Sequence, residues 1–131
     1  MKVFVNGCFD IVHIGHIKLF EFARSLGDEL LVAVDSDQRV TLSKGSSRPI
    51  NTLSDRKEFL NAIRFIDKVL DFSTTNELEM LIKNYQPDFL VVGSDWRNRE
   101  VVGACYAKEV KYFDRFEGHS TTKIIENIID R

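Results

Sequence analysis

The chain has no long hydrophobic run, no excess of one charge, two prolines and two cysteines in 131 residues. Each scarcity excludes something. No apolar stretch approaches the roughly 18–20 residues that cross a bilayer, so no membrane span is expected. Lysine and arginine number 18 against 20 aspartates and glutamates, a net charge of -2. That balance provides no broad basic field for a nucleic-acid backbone, and no nucleic-acid partner is expected. It still allows a local cationic pocket for a small phosphorylated ligand. Cys8 and Cys105 form no Cys-x-x-Cys pair, so no structural metal site is expected, and both thiols are expected to stay reduced. Met1-Lys2-Val3-Phe4-Val5 runs straight into a strand pattern without a signal-peptide layout, so a cytoplasmic location is expected. There is no internal repeat. The length suits one domain over residues 1–131 with one core.

What is present is an alternation of apolar and amphipathic segments. Lys2 to Asn6 reads as a strand ending at Gly7. Leu19, Phe22, Ala23 and Leu26 recur at helical spacing, which predicts a helix from Ile17 to Leu26, stopped by Gly27. Leu30 to Val34 is unbroken and apolar, as in a strand covered on both faces. Residues 36–52 are polar and irregular, with Lys44-Gly45-Ser46-Ser47-Arg48-Pro49 the clearest loop. Ser54 is the expected cap of a helix to about Phe65, with Phe59, Leu60 and Ile63 inward. Lys68 to Phe72 and Phe89 to Val92 read as strands, with a helix marked by Leu78, Leu81, Ile82 and Tyr85 between them. A strand over Val110 to Phe113 and a helix capped by Ser120 complete the pattern. The order predicts an α/β fold: one Rossmann-like domain with a five-stranded parallel sheet and helices on both faces. Ligands of such sheets bind beyond the carboxyl ends of the strands, which nominates residues 7–16, 35–48, 93–99 and 115–123.

The first of these segments is Gly7-Cys8-Phe9-Asp10-Ile11-Val12-His13-Ile14-Gly15-His16. Its two histidines stand one turn apart at a helix start, where N–H groups and the helix dipole suit a phosphate chain. Gly15 leaves room for a phosphate to approach the backbone. As a metal pair the histidines lack an evident third ligand. Near the other end, Ser120 and Thr121 open a helix and are either plain capping residues or phosphate ligands; Lys123 is either a ligand or a solvated lysine. Arg115 precedes Glu117-Gly118-His119 and is within reach of a phosphate, while His119 reads as a loop residue. Arg56 is a cation in the first turn of its helix, unfavourable for the dipole, and calls for a phosphate or carboxylate partner.

Gly7-x-Phe9-Asp10-x-x-His13-x-Gly15-His16 resembles the signature of the cytidylyltransferase-like nucleotidyltransferases, and Ser120-Thr121-Thr122-Lys123-Ile124 resembles their second signature. The resemblance spans essentially the whole chain. It implies an enzyme in which an acceptor phosphate attacks the α-phosphorus of a nucleoside triphosphate and pyrophosphate leaves. It further implies that His13, His16, Lys44, Arg115, Ser120 and Thr121 are catalytic. Gly7, Cys8, Phe9, Asp10, Gly15, Gly93, Asp95 and Trp96 join His13, His16, Arg115, Ser120 and Thr121 in holding the nucleotide. Trp96 either walls the base pocket or belongs to the core or a dimer interface; Asp95 either accepts from a base amino group or caps a helix. Lys18, Lys44, Arg48 and Arg56 are expected on the acceptor. Magnesium is expected to arrive with the triphosphate, and a homodimer is expected.

Two subfamilies compete for the substrate. Lys44-Gly45-x-x-Arg48-Pro49 with Arg56, and Glu100-Val101-Val102-Gly103, look like heptose 1-phosphate adenylyltransferases. His16-Ile17-Lys18-Leu19, Asp95-Trp96 and Arg115-x-Glu117-Gly118 look like glycerol-3-phosphate cytidylyltransferase. The balance leans to a sugar-phosphate acceptor of the heptose type and leaves the nucleotide, ATP or CTP, open. A nucleotide-binding sensor on the same fold is the non-enzymatic alternative.

Overall fold

A computed structural model describes residues 1–114 and 120–130. Its strands are β1 (Lys2–Gly7), β2 (Glu29–Asp35), β3 (Lys68–Phe72), β4 (Phe89–Gly93) and β5 (Glu109–Phe113). Its helices are α1 (Ile14–Ser25), α2 (Asp37–Lys44), α3 (Leu53–Asn61), α4 (Thr75–Tyr85) and α5 (Thr121–Ile129). The strands form one sheet in the order β3-β2-β1-β4-β5, every pair parallel. Val5 is the centre of the register, opposite Val32 on one side and Val91 on the other.

Strand periodicity splits the core in two. Val3 and Val5 of β1 point to one face, where they join Leu30, Val32 and Val34 beneath Phe20 and Ala23 of α1 and Leu60 of α3. Phe4, Leu31, Ala33 and Leu90 point to the other face, beneath Leu78 and Ile82 of α4. Both faces are therefore covered, which is why β2 is apolar at every interior position. The loop after β4 is pinned to α4 at Gly103. There φ is +79°, and a Cβ would lie 2.5 Å from the Ile82 side chain. Only glycine meets both demands.

Several boundaries differ from the sequence reading. α1 begins at Ile14, not Ile17, because His13 caps it. The segment after β2 is not irregular: it holds α2, capped by Ser36, with Lys44 as its last residue. Val40 is the one buried residue of α2, so the helix carries no apolar stripe to reveal it. α3 is capped by Thr52, whose hydroxyl accepts from the Asp55 amide, and not by Ser54. It ends at Asn61, beyond which Ala62, Ile63 and Ile66 donate to carbonyls three residues back instead of four. Phe59 is 51% exposed, not inward; Leu60 fills that place. Two short 3-10 turns, Ser94–Trp96 and Ala104–Tyr106, occupy the loop between β4 and β5.

Strand order reverses direction between β1 and β4. The carboxyl ends of these neighbours, at Gly7 and Gly93, leave the crevice in which sheets of this kind bind ligands.

Candidate active site

The crevice is a cleft of about 300 Å³. Asn6, Gly7, Cys8 and Phe9 line it from the end of β1, and His13, Gly15, His16 and Leu19 from the start of α1. Gly93, Asp95, Trp96 and Phe113 close one side, and Lys44 and Arg48 stand on another. Ser120, Thr121 and Thr122 complete it from the head of α5. Residues more than 100 positions apart thus share one cavity, and each described part of the nominated segments contributes.

The turn that carries the histidines is built tightly. Phe9 adopts φ +50°, a left-handed conformation that costs a side-chain-bearing residue roughly 1–2 kcal/mol. Packing holds it there: its ring lies 5.1 Å from Phe20 and meets His16 edge-on at 5.2 Å. A Cβ on Gly7 would lie 2.8 Å from that ring, so the ring needs a glycine at the strand end.

His13 and His16 cap the helix reciprocally. His13 Nδ1 accepts from the Gly15 amide at 3.0 Å, and His16 Nδ1 accepts from the His13 amide at 3.3 Å. The two rings stack at 3.8 Å between centroids, 27° apart. An imidazole that accepts at Nδ1 carries its proton on Nε2. Both rings therefore carry their proton on Nε2, the atom chemically able to donate to a phosphate oxygen. The Gly15 amide at this helix start is taken by the His13 side chain.

At the other helix start, Ser120 is a true cap: its hydroxyl accepts from the Lys123 amide at 3.0 Å. Thr121 donates its hydroxyl to the Ile11 carbonyl at 3.1 Å and so ties α5 to the histidine turn. Lys123 is exposed and does not line the cleft.

Three expected ligands are elsewhere. Lys18 is half-exposed, pairs with Glu21 at 3.6 Å and faces a different groove beside Phe22 and Asp114. It follows His16 on the helix and so points away from the histidine face. Arg56 is completely buried. It donates to the carbonyls of Asn51, Cys8 and Asp35 and to the Asp37 carboxylate at 2.7–3.0 Å. Its partner is thus a carboxylate and three carbonyls of the protein, with no face open to an acceptor. Asp10 is 1% exposed and outside the cleft lining. Its carboxylate accepts from the Ile50 and Asn51 amides and from Arg48 Nε, each at 2.8 Å. Burial pushes the Asp10 carboxyl up, but these donors more than reverse the effect and hold it below the usual carboxylate range. Arg115 and His119 lie outside the described residues.

Cys8 lines the cleft as a thiol. Burial raises it above its ordinary value despite the Arg56 charge, so it stays protonated at neutral pH and is no nucleophile. Both cysteines are free. Asn6, Leu19 and Phe113 line the cleft from outside the nominated segments, and Thr122 lines it from within one without an expected role. Asn6 had a signal, a polar residue at the carboxyl end of the first strand. Leu19 and Phe113 read as core residues and gave none.

Among the described residues no group of three histidines, cysteines or carboxylates is placed to hold a metal, and no helix is long and apolar enough to cross a membrane.

Comparison with known proteins places the chain in a family. A family model described as cytidylyltransferase-like matches residues 4–127. The bifunctional protein HldE of Helicobacter hepaticus is 51% identical over 126 residues, 96% of this chain and 26% of that protein. The bifunctional protein HldE of Campylobacter jejuni (strain 81116) is 48% identical over 129 residues, 98% of this chain and 28% of that protein. The chain spans about a quarter of the length of these relatives. Among solved structures, a lipopolysaccharide core biosynthesis protein from Thermoplasma volcanium superposes with a TM-score of 0.72 at 20% identity, covering 89% of this chain and 98% of that one. That likeness shows the fold.

Proposed function

The chain belongs to the cytidylyltransferase-like family and is a nucleotidyltransferase, and from that premise we propose that it joins the adenylyl group of ATP to a heptose 1-phosphate with release of pyrophosphate. The observation that carries the reaction type is the gathering of His13, His16, Lys44, Arg48, Ser120 and Thr121 around one cleft at the switch point of the sheet. The acceptor rests on the Lys44-Gly45-x-x-Arg48-Pro49 pattern, whose two cations line that cleft, and on the likeness to bifunctional HldE proteins.

In this reading the acceptor phosphate oxygen attacks the α-phosphorus in line, and the bond to pyrophosphate breaks. Negative charge builds on the α-phosphoryl oxygens and on the leaving group. The enzyme contributes position and opposing charge. His13 and His16 donate from Nε2 to phosphate oxygens. Lys44 supplies fixed positive charge, and Arg48 holds the acceptor phosphate. The head of α5 receives the triphosphate, with Ser120 and Thr121 setting its place. Trp96 and Asp95 flank the base. Magnesium would accompany the triphosphate, largely on phosphate oxygens and water, and would offset its negative charge. The described lining offers one carboxylate, Asp95, among nitrogen and hydroxyl donors, which fits a cation delivered by the nucleotide. The enzyme acts in the cytoplasm as a homodimer.

The second reading, a glycerol-3-phosphate cytidylyltransferase, draws on Asp95-Trp96 at the cleft wall. Pyrophosphate release from ATP or CTP, each with heptose 1-phosphate or glycerol 3-phosphate, tests both. The ATP and heptose pair is expected to turn over fastest. Faster release from CTP and glycerol 3-phosphate supports the second reading instead. Nucleotide binding without release from any pair indicates a sensor.

A further inference from the structure

Asp10 and Arg48 form an ion pair that is nearly sealed from solvent, with side chains 0% and 9% exposed, yet Arg48 reaches the cleft. The same carboxylate is clamped by two backbone amides of the Arg48 loop. Asn51 answers by donating its side-chain amide to the Asp10 carbonyl at 2.6 Å. The Arg48 carbonyl in turn accepts from Thr41 of α2 at 2.7 Å, the helix that ends on Lys44. Asp10 is thus the point where the histidine turn meets the segment bearing both cations of the acceptor side.

We infer that Asp10 is a positioning residue: its buried carboxylate fixes the Arg48 guanidinium by Nε and so aims the Nη edge at the acceptor phosphate. The inference rests on the function proposed above. Two effects of Asp10 compete, and they have opposite signs. As a charge, it offsets Arg48 and weakens attraction for any anion nearby. As an anchor, it removes the rotamer freedom of a long side chain and leaves a planar two-donor edge pre-aimed for a phosphate. Because three donors hold the carboxylate, two of them backbone amides of the same loop as Arg48, the anchoring effect dominates.

The sign of one measurement decides between them. Asp10→Asn keeps the side chain's size and removes the charge. Calorimetric titration of wild type, Asp10→Asn, Arg48→Ala and the double variant with heptose 1-phosphate, and separately with ATP, reads both effects. Anchoring predicts about tenfold weaker sugar-phosphate binding for Asp10→Asn, ATP binding within about twofold, and a double variant no weaker than Arg48→Ala. Unchanged or tighter sugar-phosphate binding in Asp10→Asn overturns the inference. So do losses in the two single variants that multiply in the double variant, since Asp10 would then act without Arg48.

A second measurement needs no variant. In 1H–15N spectra of the ligand-free wild type, the Arg48 Nε–H and the Ile50 and Asn51 amides should exchange slowly with solvent. Exchange of the Arg48 Nε–H as fast as that of an exposed arginine overturns the anchoring. A wild type that binds no sugar phosphate while this proton stays protected refutes the acceptor assignment and leaves the anchoring intact.

Discussion

At the residue scale the histidine pair caps its own helix and, in the proposed reaction, donates to phosphate, and one variant with two readouts tests both. His16→Ala removes the side chain that caps the His13 amide and, in the proposed reaction, an Nε2–H donor to the transferring phosphate. Turnover should fall by roughly two orders of magnitude or more, as for loss of one electrostatic donor. Stability should fall by about 1 kcal/mol, the usual value of a cap. Steady-state pyrophosphate release and a thermal melt of the same variant check both. Near-normal turnover would remove His16 from the chemistry.

Asp10 gives a pH signature of its own. Its folded-state carboxyl lies below the ordinary range, so ionised Asp10 stabilises the fold. That contribution is fully present above the unfolded value and is lost as pH falls through the lower folded value. The difference in melting temperature between wild type and Asp10→Asn should therefore be level from neutral pH to about 5 and narrow below about 4. A difference that grows as pH falls below 4 would contradict the assignment.

At the scale of elements, α3 shows how a cap is misread from sequence. Thr52 and Ser54 are both N-cap residue types, two positions apart, and either suits a helix that carries Leu60 inward. The structure gives the task to Thr52, which accepts from the Asp55 amide. Thr52→Ala should cost about 1 kcal/mol in chemical denaturation, whereas Ser54→Ala, inside the exposed first turn, should change stability by less than about 0.5 kcal/mol. Equal effects would refute the boundary. The miss at α2 has a different cause. With Val40 as its one buried residue, that helix offers no apolar period, and its evidence is the Ser36 cap, the Asp37 first turn and the Lys44 last turn. The strands were legible because their apolar runs, continuous in β2 and broken by Asp71 in β3 and Lys111 in β5, are local features.

At the scale of the molecule, the cleft joins segments that move independently in the unfolded chain. Nothing binds nucleotide until β1, β4 and the head of α5 are assembled, so nucleotide stabilises the folded state alone. Saturation at a hundred times its dissociation constant should raise stability by about 2.7 kcal/mol. Thermal melts with ATP and with CTP should show that gain at lower concentration for ATP. Trp96 is the one tryptophan of the chain and lines the cleft, so its emission should change along the same titration. A nucleotide that raises the melting temperature while leaving Trp96 emission unchanged would place the base away from that wall.

Local pattern alone determined the alternation of strands and helices, the parallel sheet with two covered faces, and the His13 and His16 turn beyond the carboxyl end of its first strand. These depend on periodicity and on residues adjacent in sequence, which the chain displays directly. Tertiary structure decided which cations face the cleft. Lys44 and Arg48 do, whereas Arg56 is buried among carbonyls and Lys18 faces another groove. It also turned Asp10 from an expected nucleotide ligand into the anchor of the Arg48 loop. A charged residue reads the same in sequence whether solvent, substrate or protein satisfies it. Its partner is set by which distant segment packs beside it, and only the assembled fold brings residue 10 to residue 48.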